Sequence, residues 1–358
     1  MNSTKNATFL NTDVVVIGAG VIGLTAARGL LLKGFKVTVL AKHVPGDEDI
    51  YYASNWAGAM WAGEAKTSEE RRLLLATYGQ LMRFARTEPD AAVHIVRIEE
   101  RFHENPLLGD PTRLWLSEFV EDFRIIEPRE RRSDDAFICS YSLPVVDSPV
   151  HLQWLKSQVT SLGGEIKRQD IVSLSEIYAA YPQSTVIVNA SGLGARTLDG
   201  VNDPKCHPVR GQTILVRSDQ TSTLYYHTQD EQHTYIIPRP GSKLLVCGGV
   251  FQPGRDSPLV DEVTRMDEIR RTNLLAPHVV SKNPEIVANI VGIRPGREGG
   301  YRLEHEIRQG SKSKIHILHA YGHGHNGYSI SYGTADALVA MVSDLHWESA
   351  VKPRQISL

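Results

Sequence analysis

The chain has 358 residues, 41% hydrophobic and 22% charged. That is room for one large core or two lobes, since single cores rarely grow past about 250–300 residues. Lysine and arginine total 39 against 41 aspartates and glutamates, a formal charge of −2, so the sequence carries no electrostatic footprint for nucleic acid or an acidic membrane. Cys139, Cys206 and Cys247 are too few and too scattered for a disulfide framework or a zinc cluster, and a reducing compartment or an organelle filled from the cytosol is the expected setting.

The opening stretch, MNSTKNATFLNTD, is polar and lacks a basic flank followed by an apolar core, so no signal peptide is expected. The run 14–32 is apolar enough to suggest a membrane span, but the glycines and Arg28 inside it argue against one. Residues 13–17 (DVVVI) read as a buried parallel strand, 24–34 (LTAARGLLLKG) as a helix ended by Gly34, and 35–40 (FKVTVL) as a second strand. Between the first two lies GAGVIG, with Gly18, Gly20 and Gly23 at the G-x-G-x-x-G spacing. Gly18 permits the tight turn, Gly20 lets backbone approach a pyrophosphate, and Gly23 allows close helix–strand packing. The acidic residue that usually holds an adenosine ribose should follow the second strand, yet 39–43 reads VLAKH. The motif alone does not choose between NAD and FAD.

Further along, 69–86 shows a helical apolar stripe of Leu73, Leu74, Tyr78 and Leu81, and 150–162 reads as another helix stopped by Gly163 and Gly164. Residues 87–150 are otherwise mixed and proline-containing. A second strand-plus-glycine turn occupies 185–195, placed as if to touch the same cofactor. The segments QTILVR, TYIIPRP and KLLVCGGVF within 208–251 alternate as antiparallel strands, and 315–318 is a late strand before AYGHGHNGYSIS and a helix over 334–345. The expected fold is α/β: a Rossmann-like dinucleotide-binding domain of discontinuous segments (1–60, 145–205 and 290–358) with an inserted antiparallel-sheet substrate domain (61–144 and 206–289). His316, His319, His323 and His325 lie close together, but a metal site is not expected, because no cysteine or supporting carboxylate is near in sequence.

Eight motifs in order resemble the D-amino-acid oxidase family, which includes D-aspartate oxidase: VVVIGAGVIGLT (14–25), WAGAMW (56–61), VNASGLGA (188–195), PVRGQTILV (208–216), TYIIPRPG (234–241), GGVFQPG (248–254), VGIRPGREGG (291–300) and HAYGHGHNGYSISYG (319–333). The resemblance implies non-covalent FAD, hydride transfer from a D-amino acid to flavin N5, release of an imino acid that hydrolyses to an α-keto acid and ammonia, and reoxidation by O₂ to H₂O₂. It places Arg294 on the substrate carboxylate, as a guanidinium fork suits, with the Tyr235 hydroxyl beside it, Phe251 lining the pocket and His325 near the substrate amino group. Arg297 matches nothing in the family and is expected in solvent.

For FAD the resemblance implies contacts from Gly18, Gly20, Val21, Ile22 and Gly23, then from Ala41 and Lys42. It adds Ala53, Ser54, Gly58, Ala59 and Met60, followed by Ile171, Ser191, Gly192, Gly194 and Arg294. The loop Gly324, His325, Asn326, Gly327, Tyr328 and Ser329 should wrap the flavin's polar edge, where backbone donors stabilise negative charge. The segment 62–72 (AGEAKTSEERR) departs from the family pattern. Acid-specific relatives carry an arginine where Phe251 stands and another before the strand of Tyr235. Here the corresponding stretch is Tyr225, Tyr226, His227 and Thr228, so neutral or mildly polar substrates are expected over D-aspartate. An NAD-dependent dehydrogenase, a non-catalytic flavin-binding protein and an enzyme for another amine are the competing readings. Neither a nucleic-acid nor a membrane partner is expected, and a homo-oligomer is left open. Location is expected in the peroxisome, with the cytoplasm as the alternative, since the terminal Ile356-Ser357-Leu358 is a weak match to a Ser-Lys-Leu address.

Overall fold

The computed structural model describes residues 13–62, 65–102, 111–127, 136–219, 223–229, 232–310 and 314–351. The C-terminal address and part of the 62–72 segment lie outside them. The chain forms two units: Met1–Asp47, Leu152–His207 and Pro295–Leu358 make the first, and Glu48–His151 with Pro208–Arg294 the second. Residues 48–60, 145–151 and 290–294 therefore group with the second unit, where the sequence reading put them with the nucleotide domain. Their contacts explain it. Met60 bridges to Val145, and the Ala57 carbonyl accepts from Ser148 Oγ at 2.8 Å and from Arg239 at 3.1 Å. A Cβ on Gly292 would stand 2.8 Å from that of Trp56.

With strands numbered along the chain, the first unit holds β1 (Asp13–Ile17), β2 (Lys36–Ala41), β6 (Glu165–Arg168), β7 (Val186–Asn189), β14 (Arg302–Gln309) and β15 (Lys314–Tyr321). They form one sheet in the order β14-β15-β7-β1-β2-β6, parallel except for β14. Strand side chains alternate between faces. Val15, Ile17, Leu40, Ile187, Ile315 and Ile317 pack with Leu174 and Ile177 of α5 (Leu174–Ala180). Helix α1 (Val21–Leu32) packs against α7 (Ser331–Val351) so closely that a Cβ on Gly29 would meet Val339 at 2.9 Å. Arg28, the residue that argued against a membrane span, lies over the Trp154 ring of α4 (Ser148–Ser161) at 5.4 Å. Among the described residues no helix is long and apolar enough to cross a membrane.

The second unit holds β3 (Val93–Phe102), β4 (Glu121–Ile125), β5 (Phe137–Val146), β8 (Cys206–Arg217), β9 (Thr223–Gln229), β10 (Gln232–Arg239), β11 (Leu244–Gly248), β12 (Gln252–Pro253) and β13 (Ile286–Arg297). Their order is β12-β8-β11-β10-β9-β3-β5-β4, with β13 also on β8. The sheet is not purely antiparallel as expected: β3 and β9 run parallel. Three of these strands occupy 93–146, which read as mixed, because β5 is buried on nearly every residue and shows no alternation. Helix α2 (Ala53–Trp56) lies in this unit, as does α3 (Ser68–Thr87), which opens on a capping box. The Thr67 side chain accepts from the Glu70 amide, and the Glu70 side chain accepts from Thr67 N–H.

Helix α6 (Glu262–Leu275), capped by Asp261, packs Ile269 and Leu275 onto Ile214, Val216, Ile236, Leu245 and Cys247. That leaves the opposite sheet face to Gly211, Tyr235 and Ile237. Within the α6 contact, the Glu268 side chain is fully buried. Burial raises its pKa from 4.5 to about 8, although Arg271 and Arg210 pull the other way. The folded state then holds a proton that the unfolded chain releases, so stability falls as pH rises from about 4.5 to about 8. Glu268→Gln should stabilise the protein by about 1–3 kcal/mol near pH 8 and hardly at all at pH 4. Thermal melts at both values test this; an equal shift at both would refute it.

Candidate active site

In the first unit the two glycine turns lie back to back. Gly18 has φ +100°, and a Cβ there would stand 2.4 Å from the Ala190 carbonyl oxygen. A Cβ on Gly23 would stand 2.0 Å from the Gly18 carbonyl oxygen. The Gly18 amide donates to Leu40 O and that of Ala190 to Ile17 O, at 2.8 and 2.9 Å. Gly18, Gly20 and Gly23 are thereby brought to Ser191 and Gly192. Helix α1 starts at Gly20 with no side-chain cap and no acidic residue in its first turn, so its positive end suits a phosphate. Val21 and Ile22 form that turn. Ala41 is buried at the end of β2, whereas Lys42 is exposed and pairs with Asp170 at 3.3 Å. The nearest carboxylate after β2, Asp47, is engaged by both terminal nitrogens of Arg168 at 2.5 and 2.8 Å, which hold it down at about 2. Ile171 packs on the core beneath.

The second glycine turn is held from below. His319 is fully buried; burial depresses its pKa, although Glu306 draws it back up. As a neutral ring it donates from Nε2 to Glu306 at 2.9 Å and accepts at Nδ1 from the Asn189 amide at 3.2 Å. That leaves the Asn189 carbonyl to accept the Ser191 N–H at 3.3 Å. The loop after β15 carries φ +80° at Gly322 and +57° at Gly324, and Gly324 N–H donates to Pro295 O at 3.0 Å. Tyr328 and Ser329 are buried, and Asn326 and Gly327 form the turn between. His325, expected near the substrate amino group, is exposed on that turn. His323 is the buried one: its ring is parallel to Tyr301 at 5.4 Å, its pKa is pushed down to about 4 by burial, and its Nε2 has no hydrogen-bond partner among the described residues. The Ser191 and Thr334 hydroxyls are likewise buried and unpartnered among the described residues. His323 and Thr334 were not singled out from the sequence.

Arg297, expected in solvent, is instead largely buried. Its Nε donates to Asp203 at 2.8 Å, and Tyr321 donates to the same carboxylate oxygen at 2.9 Å. Burial opposes the charge on Asp203, but these two bonds keep its pKa below the usual carboxylate range.

In the second unit Arg294 and Tyr235 lie together on the sheet face away from α6. Arg294 NH1 donates to Val250 O at 3.2 Å, and its guanidinium lies 6.0 Å from the half-exposed Phe251 ring. A Cβ on Gly211 would stand 2.4 Å from Arg294 NH1, and one on Gly249 would stand 2.4 Å from the Tyr235 hydroxyl. Burial raises the Tyr235 pKa, although Arg294 pulls it down, so the hydroxyl keeps its proton. Arg271 holds the neighbouring loop, donating to Thr234 Oγ1 at 2.7 Å and to Gly249 O at 3.1 Å. Ala53, Ser54, Gly58, Ala59 and Met60 all belong to this unit, with Ala59 at φ +55°.

This arrangement fits FAD. Glycine backbone and an uncapped helix start suit a diphosphate. The three unpartnered polar atoms of Ser191, His323 and Thr334 suit a polar ring system that the chain does not itself supply. The fold and the site thus define a flavin-dependent oxidoreductase.

The DAO family model, described as FAD dependent oxidoreductase, matches residues 13–341. A D-amino-acid oxidase of Schizosaccharomyces pombe is 31% identical over 330 residues, covering 90% of this chain and 94% of that one. A D-aspartate oxidase of Talaromyces thermophilus is 26% identical over 359 residues, covering 92% and 94%. Among solved structures, glycine oxidase from Geobacillus kaustophilus aligns with a TM-score of 0.74 at 21% identity, over 97% of this chain and 96% of that one, a likeness of fold. The chain belongs to the DAO family of FAD-dependent oxidoreductases.

Glu306 tests the support beneath Ser191. A hydrogen bond from Arg308 lowers its pKa from 4.5 to about 2, and His319 adds to this. A depressed carboxylate stabilises the fold above about pH 4.5, and that contribution is lost as pH falls toward 2. Glu306→Gln should therefore cost about 1–2 kcal/mol at pH 6, discounted for partial exposure. The gap to the parent protein should narrow by pH 3. A gap that stays constant across that range in thermal melts would show that the charge on Glu306 is not what matters.

Proposed function

We propose that the protein is an oxidase that deaminates neutral or mildly polar D-amino acids. The balanced reaction takes a D-amino acid, O₂ and water to an α-keto acid, ammonia and H₂O₂. The observation that carries the reading is the Arg294–Tyr235 pair, a fixed guanidinium fork beside a protonated hydroxyl. FAD, when bound, supplies the two-electron acceptor that O₂ reoxidises. The Gly18–Gly23 turn, Ser191, His323 and the 324–329 loop are the residues that would hold it.

The chain's own part is binding and orientation. Arg294 takes the substrate carboxylate in two charge-assisted bonds. Tyr235 keeps its proton and donates a third. Fixing the carboxylate at two points fixes which α-carbon substituent is presented for oxidation, and such positioning is the main service the protein renders to a cofactor that carries the chemistry.

The charges around the clamp support a neutral side chain. A dicarboxylate needs a second cation, since a desolvated carboxylate without a partner is costly. Arg210, which is buried, and Arg271, which is largely so, are both engaged elsewhere. Arg210 donates to Ser257 O, Gln252, Gln212 and Leu259 O. Arg271 donates to Asp267, Thr234 and Gly249 O. Phe251 next to Arg294 offers an aromatic face instead of a charge. D-Aspartate oxidation is the second reading, favoured only by the curated relative that carries that name.

Arg294→Leu should lower kcat/KM for D-alanine by about 10²–10³-fold or more, from the loss of one half of a desolvated pair, with FAD content unchanged. Turnover close to the parent would overturn the clamp. On the parent enzyme, H₂O₂ release from D-alanine, D-valine, D-methionine and D-phenylalanine should exceed that from D-aspartate; the highest kcat/KM on D-aspartate would overturn the neutral preference.

We further assign the enzyme to the peroxisome, because a source of H₂O₂ is best kept beside catalase. The protein tagged at its N-terminus should appear as puncta that coincide with catalase. A diffuse signal would place it in the cytoplasm instead.

A further inference from the structure

Arg294 does not stand clear of the sheet; it lies flat on it. A Cβ built on Gly211 would be 2.4 Å from Arg294 NH1, 2.7 Å from Cζ and 2.7 Å from NH2. All three are guanidinium atoms, so the plane of the fork rests on the Gly211 backbone. Gly211 sits within β8, and its φ lies outside the left-handed region. A side chain at this position is therefore not excluded by backbone strain, and alanine suits a strand at least as well as glycine does. What excludes it is the functional side chain above. A separate contact, the bond from NH1 to Val250 O at 3.2 Å, holds one end of the fork.

We propose that Gly211 is a positioning residue for substrate recognition: by lacking a Cβ it sets the height and tilt of the Arg294 fork, and through it the selectivity for a carboxylate. This rests on the reading of Arg294 as the carboxylate clamp. The neighbouring hydroxyl is seated in the same manner, since Gly249 leaves Tyr235 the room a Cβ would take at 2.4 Å. Both carboxylate-binding groups thus lie against bare backbone. Guanidinium–carboxylate pairing is bidentate and planar, so a tilt of the fork weakens one of its two bonds, whereas a point charge tolerates such a shift.

Gly211→Ala is the direct test. The atoms in the way are the far end of a flexible side chain, so the fold can yield there by moving the fork. Melting temperature and FAD content should stay at the parent values. The readout is the ratio of kcat/KM for D-alanine to that for D-alaninamide, which lacks the carboxylate. That ratio should fall by about tenfold to a hundredfold, as expected for a misplacement of the order of 1 Å, mainly through KM for D-alanine. A general structural defect would lower both substrates together and leave the ratio alone.

The second arm places Gly211→Ala in an Arg294→Lys background. Lysine has no planar fork to displace, so the added Ala should change the ratio there by less than about twofold, a strong non-additivity. An unchanged ratio in Gly211→Ala, together with a collapsed ratio in Arg294→Leu, would overturn the role of Gly211 while the clamp stands. An equal effect of Ala in both backgrounds would overturn it too. If Arg294→Leu itself leaves the ratio intact, the clamp reading has failed and the role of Gly211 falls with it.

Discussion

The first unit depends on one close approach. The Ala190 carbonyl oxygen lies where a side chain on Gly18 would begin, 2.4 Å from the position of its Cβ. That approach lets the end of β1 and the end of β7 turn side by side, and it sets the glycine turn of α1 next to Ser191. Helix α1 meets the same limit one turn on, where Gly23 faces the Gly18 carbonyl. Backbone against backbone leaves no slack, because nothing in the contact can rotate away. Interiors packed at crystal-like density pass such constraints on to their neighbours.

The second unit uses the same device for side chains. Arg294 and Tyr235 are seated on glycines rather than among methyl groups, and their orientation is fixed by the sheet beneath. Near them two other arginines hold loops: Arg210 orders 252–259 through three bonds and donates a fourth to Gln212, and Arg271 ties α6 to Thr234 and Gly249. Arg294 is less committed: NH1 donates to Val250 O, and the Tyr235 hydroxyl stands beside the fork. The division of labour is electrostatic. A guanidinium whose three nitrogens all donate to the protein is structure, and one with donors to spare can receive an anion.

Beneath the first unit's turns runs a relay whose protonation is set by burial. His319 stays neutral, and one tautomer satisfies both of its neighbours. Glu306 must then be a carboxylate, and Asn189 must present its carbonyl to Ser191. Arg308 and Arg302 meet Glu306 at the outer end, so the chain of bonds ends on half-buried charge. Arg297 and Asp203 form a comparable buried pair beside Tyr321. The first of these shapes the turn that carries Ser191.

The sequence by itself determined the local features and their order. DVVVI, GAGVIG and the apolar helix that follows specify a strand, a turn and a helix by alternation, glycine spacing and period alone, and β1 and α1 stand where that pattern places them. The capping box at Thr67 and Glu70 was equally legible in TSEE, though its segment read only as a departure from the family. The ordered motifs also carried Arg294, Tyr235 and the FAD requirement. What the tertiary structure decided was everything that rests on distance through space. Strand β5 is buried on both faces, so it shows no alternation to read. Arg297 finds its partner 94 residues away, and no periodicity announces such a pair. His323 and His325 are two residues apart in a glycine-rich loop, and only the path of the chain buries one and exposes the other. Gly211 reads as an ordinary strand glycine until the guanidinium of Arg294 is found lying on it. A sequence lists which groups a chain owns; which of them remain unsatisfied once the others have paired is a property of the folded arrangement.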